Sequence, residues 1–201
     1  MTEGQGNARG IYNQHVASRD SDIGHYLPFL RSKAKGIIFE IGVRLGNPNL
    51  RGGASTSAFL LGLEENGGHL YSVDIDDCSG LFRNHPNWSF LRADSKDLPT
   101  IFAFVPKVID ILFLDGDHSR KGYVNDLYTY STLVRDGGLI ISHDTDTSHN
   151  PGWTIEKTGN PGAPSEAIRE EYLKFARDNQ YEHYDLPGIC GMGVVVKRGR
   201  Q

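Results

Sequence analysis

The sequence predicts an α/β fold: a mostly parallel sheet of seven strands, helices on both faces, and a closing antiparallel hairpin. Three observations lead there. Short apolar runs of strand length alternate with stretches of helical periodicity. The runs over 37–42, 69–74, 108–114 and 139–142 each carry or are followed within two residues by an acid, Glu40, Asp74, Asp115 or Asp144. The last two runs, 180–186 and 191–197, flank a Pro187-Gly188 turn and read as a hairpin. Strands joined through helices must be parallel with right-handed crossovers, whereas the hairpin needs one antiparallel neighbour.

Taken in order, residues 1–20 are rich in Gly, Asn and Gln and are expected to be flexible. Ser21-Asp22 reads as a helix start, with Ile23, Tyr26, Leu27 and Leu30 as its apolar face and Pro28 as a kink or boundary. The run 37–42 is a buried strand. Residues 43–53 form a long glycine-containing loop, with an insertion at 47–51, before a helix starting at Ala54 or Ser55 and stopped by Gly67-Gly68. Strands follow at 69–74 and 88–91, separated by a loop or short helix over 78–85, and a weak helix over 96–105 leads to the strand 108–114. Ser119 can cap a helix reaching Val134, which Asp136-Gly137-Gly138 ends before the strand 139–142. Residues 145–164 hold three prolines, three glycines and Trp153 without periodicity, which suggests a lid-like loop over a substrate. A last helix opens at Pro164-Ser165-Glu166, the hairpin follows, and 198–201 is a solvated tail. Residues 21–197 are read as a single domain.

The totals narrow the function. Hydrophobic residues at 38%, charged residues at 23% and a net charge of −4 over 201 residues describe an ordinary globule. That charge argues against a nucleic-acid partner, since the only basic cluster is Lys197, Arg198 and Arg200. No apolar run is long enough to cross a membrane and no leader pattern is present, so a cytoplasmic setting is expected. Cys78 and Cys190 show no metal or redox spacing. A homo-oligomer is compatible with the sequence but tied to no motif.

Two polar clusters carry the chemistry. Asp115-Gly116-Asp117-His118 and His143-Asp144-Thr145-Asp146 both follow strands that one helix joins, so both fall at the carboxyl edge of the sheet, where open α/β folds bind ligands. Earlier in the chain, a glycine loop after the first strand lets backbone approach a ligand, and Asp74 after the second is placed to accept from a ribose diol. Those two features alone suit a nicotinamide cofactor as well as S-adenosylmethionine. The dinucleotide pattern G-x-G-x-x-G is missing, however, and Asp94 after the third strand can accept from an adenine amino group.

With FEIG at 39–42, SVDID at 72–76, RADS at 92–95, DILFLDGDH at 110–118 and GGLIISHD at 137–144, the chain resembles the class I S-adenosylmethionine-dependent methyltransferases, with their Rossmann-like fold, over residues 23–197. LDGDHSRKGYVNDL followed by RDGGLIISHDT is similar to the O-methyltransferase branch of cephalosporin-hydroxylase-like and macrolide-sugar (macrocin-type) enzymes. The resemblance implies a methyl donor held by Glu40, Gly42, Asp74 and Asp94, with Ser55, Ser95 and Asp115 beside it. It also implies a small hydroxylated acceptor, a sugar or natural product, and a divalent ion, Mg²⁺ or Mn²⁺, on Asp115, His143 and Asp144. His143 stands where a carboxylate is more usual, which either shifts preference toward metals that accept imidazole or marks a lost metal site. His118, with an ordinary pKa of about 6.5, is the implied general base, and Asp117 is its rival. A binding module without turnover and a nicotinamide-dependent oxidoreductase are the competing functions.

Overall fold

The computed structural model describes residues 2–18, 22–43, 52–148 and 151–199. The chain divides into two compact units, Met1–Lys107 and Val108–Gln201.

The first unit opens on helix α1, Glu3–Ala17, where the sequence predicted flexibility. Its glycines weaken helix propensity, but two features offset them. Thr2 and Gln5 form a reciprocal capping box, and Ala8, Ile11, Tyr12 and His15, at helical spacing, are all buried. After a 3-10 turn at Ile23–His25, helix α2 runs over Leu27–Lys33 with Pro28 in its first turn, so the proline is a boundary and not a kink. Strand β1, Gly36–Ile41, and helix α3, Ala54–Asn66, flank the loop. Helix α3 is buried from Ala54 through Leu63 because it packs on α1, α2, β1 and β2 (Gly68–Asp74). Strand β3, Trp88–Arg92, and helix α4, Leu98–Phe104, complete the unit, and β1, β2 and β3 pair in parallel.

The second unit begins with β4, Ile109–Leu114, whose inner residues Ile111, Leu112, Phe113 and Leu114 are buried. Ser119 caps helix α5, Arg120–Tyr130, as expected, but the helix stops short of Val134 and a 3-10 turn takes its place. Strand β5 then starts at Val134, so Asp136-Gly137-Gly138 lies inside a strand instead of ending a helix. Two local features accommodate it. Gly137 adopts φ 75°, and the pairing with β4 shifts register between Ile109 and Ile111. The amide of Gly137 donates to Lys197 O at 2.7 Å and that of Lys197 to Gly138 O at 2.9 Å, which keeps the backbone satisfied through the irregularity.

The expected lid contains a short helix, α6, Ile155–Thr158, before α7, Glu166–Asp178. It is tied down where it meets α7: Ser165 Oγ donates to Glu156 at 2.9 Å, Ile155 N donates to Pro164 O at 3.2 Å, and Thr154 is fully buried. The hairpin is β6, Glu182–Leu186, and β7, Met192–Val196, with β7 antiparallel to β5. Together the seven strands form one mixed sheet in the order β3-β2-β1-β4-β5-β7-β6, mostly parallel, with the antiparallel strands at one end. The inserted 47–51 segment and Ser21 lie outside the described residues. Among the described residues no helix is long and apolar enough to cross a membrane.

Candidate active site

In the first unit the polar end of β1 and β2 is built around Glu40. Its carboxylate is completely buried and accepts three hydroxyl hydrogen bonds, from Ser55 at 2.6 Å, Thr56 at 2.7 Å and Ser72 at 2.6 Å. Trp88 Nε1 donates in turn to Ser72 Oγ at 3.0 Å. One buried anion thus locks the start of α3 to β1, β2 and the β3 edge. The sequence singled out Glu40 and Ser55 as site residues and offered Thr56 as a helix-start hydroxyl, but gave no signal for Ser72 and Trp88, which lie in β2 and β3. Gly42 leaves β1 at φ 93° and its amide donates to Val73 O at 3.0 Å. Asp74, at the end of β2, accepts from Val43 N at 2.8 Å through Oδ2 and from Asp76 N at 2.9 Å through Oδ1. Asp94 is exposed and accepts from Lys96 N at 2.9 Å, while Ser95 beside it is buried.

In the second unit the parallel register pairs Leu114 with Ser142, so the residues that follow, Asp115 and His143, come out side by side. Asp144 then turns the chain at φ 57°, a left-handed conformation that Asp tolerates better than most residues. His118, one turn after Asp115, closes the cluster. His118 Nε2 lies 3.2 Å from Asp144 Oδ2 and 3.5 Å from Asp115 Oδ1. His143 Nδ1 lies 3.2 Å from Asp115 Oδ1 and 3.4 Å from Asp144 Oδ2. Ligating atoms of Asp115, His118 and Asp144 all fall within 4.8 Å of one another, a spacing one metal ion can span.

The electrostatics follow from this packing. Burial alone would lower the pKa of His118, but the carboxylates of Asp144 and Asp115 outweigh it and push it up to about 9. His143 is likewise depressed by burial and raised far more by Asp144 and Asp115, to well above its ordinary value. Burial would raise Asp115, yet His143 and His118 hold it well below the usual carboxylate range. The imidazoles of His118 and His143 and the carboxylates of Asp115 and Asp144 thus form one network of close contacts. Tyr123 braces the cluster from α5, its hydroxyl 2.6 Å from Ser142 Oγ. Asp117 is not part of the group: it is exposed and its carboxylate accepts from Ser119 N at 2.9 Å at the start of α5.

Comparison with known proteins decides the family. A family model described as a methyltransferase domain matches residues 39–145, more than half of the chain. The chain belongs to the methyltransferase domain family. Solved methyltransferases share the fold at low sequence identity. The MycE methyltransferase of the mycinamycin biosynthetic pathway, in complex with Mg, S-adenosylhomocysteine and mycinamycin VI, superposes with a TM-score of 0.65 at 20% identity over 98% of this chain. That alignment covers 55% of MycE, so the chain spans about half of that protein's length. An O-methyltransferase from Bacillus cereus with S-adenosylhomocysteine gives 0.63 at 17% identity, covering 98% of this chain and 92% of its own. The S-adenosylhomocysteine-bound methyltransferase PaMTH1 of Podospora anserina gives 0.68 at 12%, covering 99% and 89%. The uncharacterized protein R132 of Acanthamoeba polyphaga mimivirus is 45% identical over 40 residues, which are 20% of this chain and 18% of that protein. The fold of this methyltransferase is thus that of the class I S-adenosylmethionine-dependent enzymes.

Proposed function

We propose that this methyltransferase transfers the methyl group of S-adenosylmethionine to a hydroxyl oxygen of a small acceptor, a sugar or natural product, with help from a divalent cation. The observation that carries the reading is the convergence of Asp115, His118 and Asp144, within 4.8 Å, after two adjacent parallel strands. MycE, which shares the fold, was crystallised with Mg and a mycinamycin.

In the first unit, Asp74 is the proposed ribose ligand. Its carboxylate is held by the backbone amides of Val43, on Oδ2, and Asp76, on Oδ1, which orient it at the end of β2 to receive ribose hydroxyls. Gly42 brings bare backbone to the donor, and Asp94, exposed, takes the adenine amino group beside Ser95. Glu40 acts by position: its shell of three hydroxyls fixes the first turn of α3 and the exit of β1. In the second unit, Asp115 and Asp144 hold the cation. When bound, that ion lowers the pKa of the acceptor hydroxyl and presents its oxygen. The oxygen–carbon bond forms as the sulfur–carbon bond breaks, S-adenosylhomocysteine leaves, and the acceptor's proton departs to a base of the surrounding shell. A reducing, cytoplasmic setting fits the sparse cysteines, and self-association is compatible with the reading.

The test is titration calorimetry with S-adenosylhomocysteine, followed by methyl transfer from labelled donor to a panel of hydroxylated acceptors with and without chelator. Saturable binding, and an O-linked methyl group lost on chelation, are expected. No binding at millimolar ligand would overturn the reading.

A further inference from the structure

We propose that the cation centre of this chain is a mixed imidazole–carboxylate site, in which His118 Nε2 is a ligand beside Asp115 and Asp144. It therefore takes a divalent ion of the transition series, such as Mn²⁺, Fe²⁺ or Co²⁺, in preference to Mg²⁺. The proposal rests on the cation-assisted reading above and takes His118 out of the base role that the sequence resemblance implies.

The geometry is that of ligands sharing one ion. With metal–ligand bonds of about 2.1 Å, neighbouring donors stand about 3.0 Å apart in an octahedron and about 3.4 Å apart in a tetrahedron. His118 Nε2 stands 3.2 Å from Asp144 Oδ2 and 3.5 Å from Asp115 Oδ1. A second, independent observation points the same way. The His118 side chain is only 11% exposed. Both its ring nitrogens are fully buried and make no hydrogen bond among the described residues. Nε2 thus meets the two carboxylates without a well-formed hydrogen bond to either, an arrangement that a cation shared by the three groups completes. A general base, by contrast, must turn a lone pair toward the acceptor, whereas this nitrogen is turned toward two carboxylates.

The donor chemistry then selects the ion. Mg²⁺ is a hard cation that favours an all-oxygen shell and parts reluctantly with its water. Imidazole suits the later divalent ions, and affinity rises from Mn²⁺ through Fe²⁺ to Co²⁺. His143 strengthens the departure from an all-oxygen site, because an imidazole and not a carboxylate follows β5 and its Nδ1 meets Asp115 Oδ1 at 3.2 Å. That contact orients the carboxylate, the usual work of a group behind a metal ligand.

The experiment is pulsed electron paramagnetic resonance on the full chain loaded with Mn²⁺, unlabelled and with [15N]histidine, and on His118→Asn and His143→Asn. Calorimetric affinities for Mn²⁺, Co²⁺ and Mg²⁺ accompany it. We expect histidine nitrogen coupling that changes isotope signature in the labelled protein, vanishes in His118→Asn and survives in His143→Asn. Co²⁺ affinity should fall at least about tenfold in His118→Asn, with Mg²⁺ little changed. His118→Asp should raise the affinity for Mg²⁺ relative to Co²⁺. Bound Mn²⁺ without nitrogen coupling overturns the proposal, as does coupling that survives His118→Asn and is lost in His143→Asn. Failure to bind any of the three ions also overturns it, yet leaves methyl transfer standing if S-adenosylhomocysteine still binds. The labelled wild type reports histidine ligation even if His118→Asn does not fold.

Discussion

Two acids on this chain do opposite work with the same functional group. Asp144 combines a charge that meets both imidazoles with a backbone at φ 57°. Those two properties can be separated. Asp144→Asn keeps a residue at home in the left-handed region and removes only the charge, so cation affinity and methyl transfer should collapse, together with the stability that this carboxylate lends by pairing with His118 and His143. Asp144→Val adds backbone strain of about 1–3 kcal/mol, and denaturant titration should show that extra loss of stability in Val but not in Asn. Glu40, in contrast, faces inward. Glu40→Ala strands the hydroxyls of Ser55, Thr56 and Ser72 in a dry site and should cost about 3–5 kcal/mol, the range for breaking a buried charged network. Glu40→Gln retains one acceptor oxygen and should fall between, with KM for the methyl donor rising more than kcat falls. Equal stability of Ala and wild type would show that the hydroxyl shell does not hold α3. Of these groups, Asp115, His118 and Asp144 were legible in the sequence because strand ends at one sheet edge converge by topology alone. Ser72, a partner of Glu40, was not, because it reaches the carboxylate from 32 positions away through a pairing register that no local pattern encodes.

At the scale of elements, the sheet was readable because most strands carry a short apolar run bounded by glycine, proline or an acid, while the polar β6 was marked by the Pro187-Gly188 turn that follows it. Helices read well where a cap preceded a periodic face, as at Ser119 and Ser165. The two departures share a cause, glycine. In α1, Gly4, Gly6 and Gly10 obscure a face of Ala8, Ile11, Tyr12 and His15 that the tertiary structure buries. In β5, Gly137 and Gly138 resemble a helix stop, yet the bulge against β4 uses them to keep the strand running. Glycine also sets how closely elements approach. A Cβ on Gly62 of α3 would stand 2.3 Å from Arg31 O and 2.6 Å from Ala34 Cβ at the end of α2. Gly62→Ala should therefore cost about 1–3 kcal/mol through overpacking, despite alanine's higher helix propensity, and Gly6→Ala, with open space around it, should be neutral or stabilising. Thermal unfolding of the two variants would check it, and a stabilised Gly62→Ala would show that α2 and α3 are not packed this closely.

For the whole molecule, the pH dependence of stability sums histidines that shift in opposite directions. His85 is buried, and burial lowers its pKa below the ordinary value, opposed by Glu64, whose carboxylate lies 3.2 Å away and is approached by Arg9 at 3.9 Å. His69, near enough to repel it, is lowered by burial as well. A histidine with a depressed native pKa binds its proton more readily in the unfolded chain. Its contribution is thus fully present above the unfolded value of about 6.5 and is lost as pH falls below it toward the native value. The imidazoles of the second unit work the other way: raised native pKa values stabilise below about 6.5 and lose that contribution as pH rises through the value of about 9 reached by His118. A single stability profile mixes both signs, so the informative quantity is the difference between wild type and His85→Gln, in which the second unit cancels. Denaturant titration from pH 7.5 down to 5.5 should show wild type losing stability relative to His85→Gln as the solution acidifies. Parallel curves would mean that Glu64 holds the proton on His85 in the native state, and that burial does not win there.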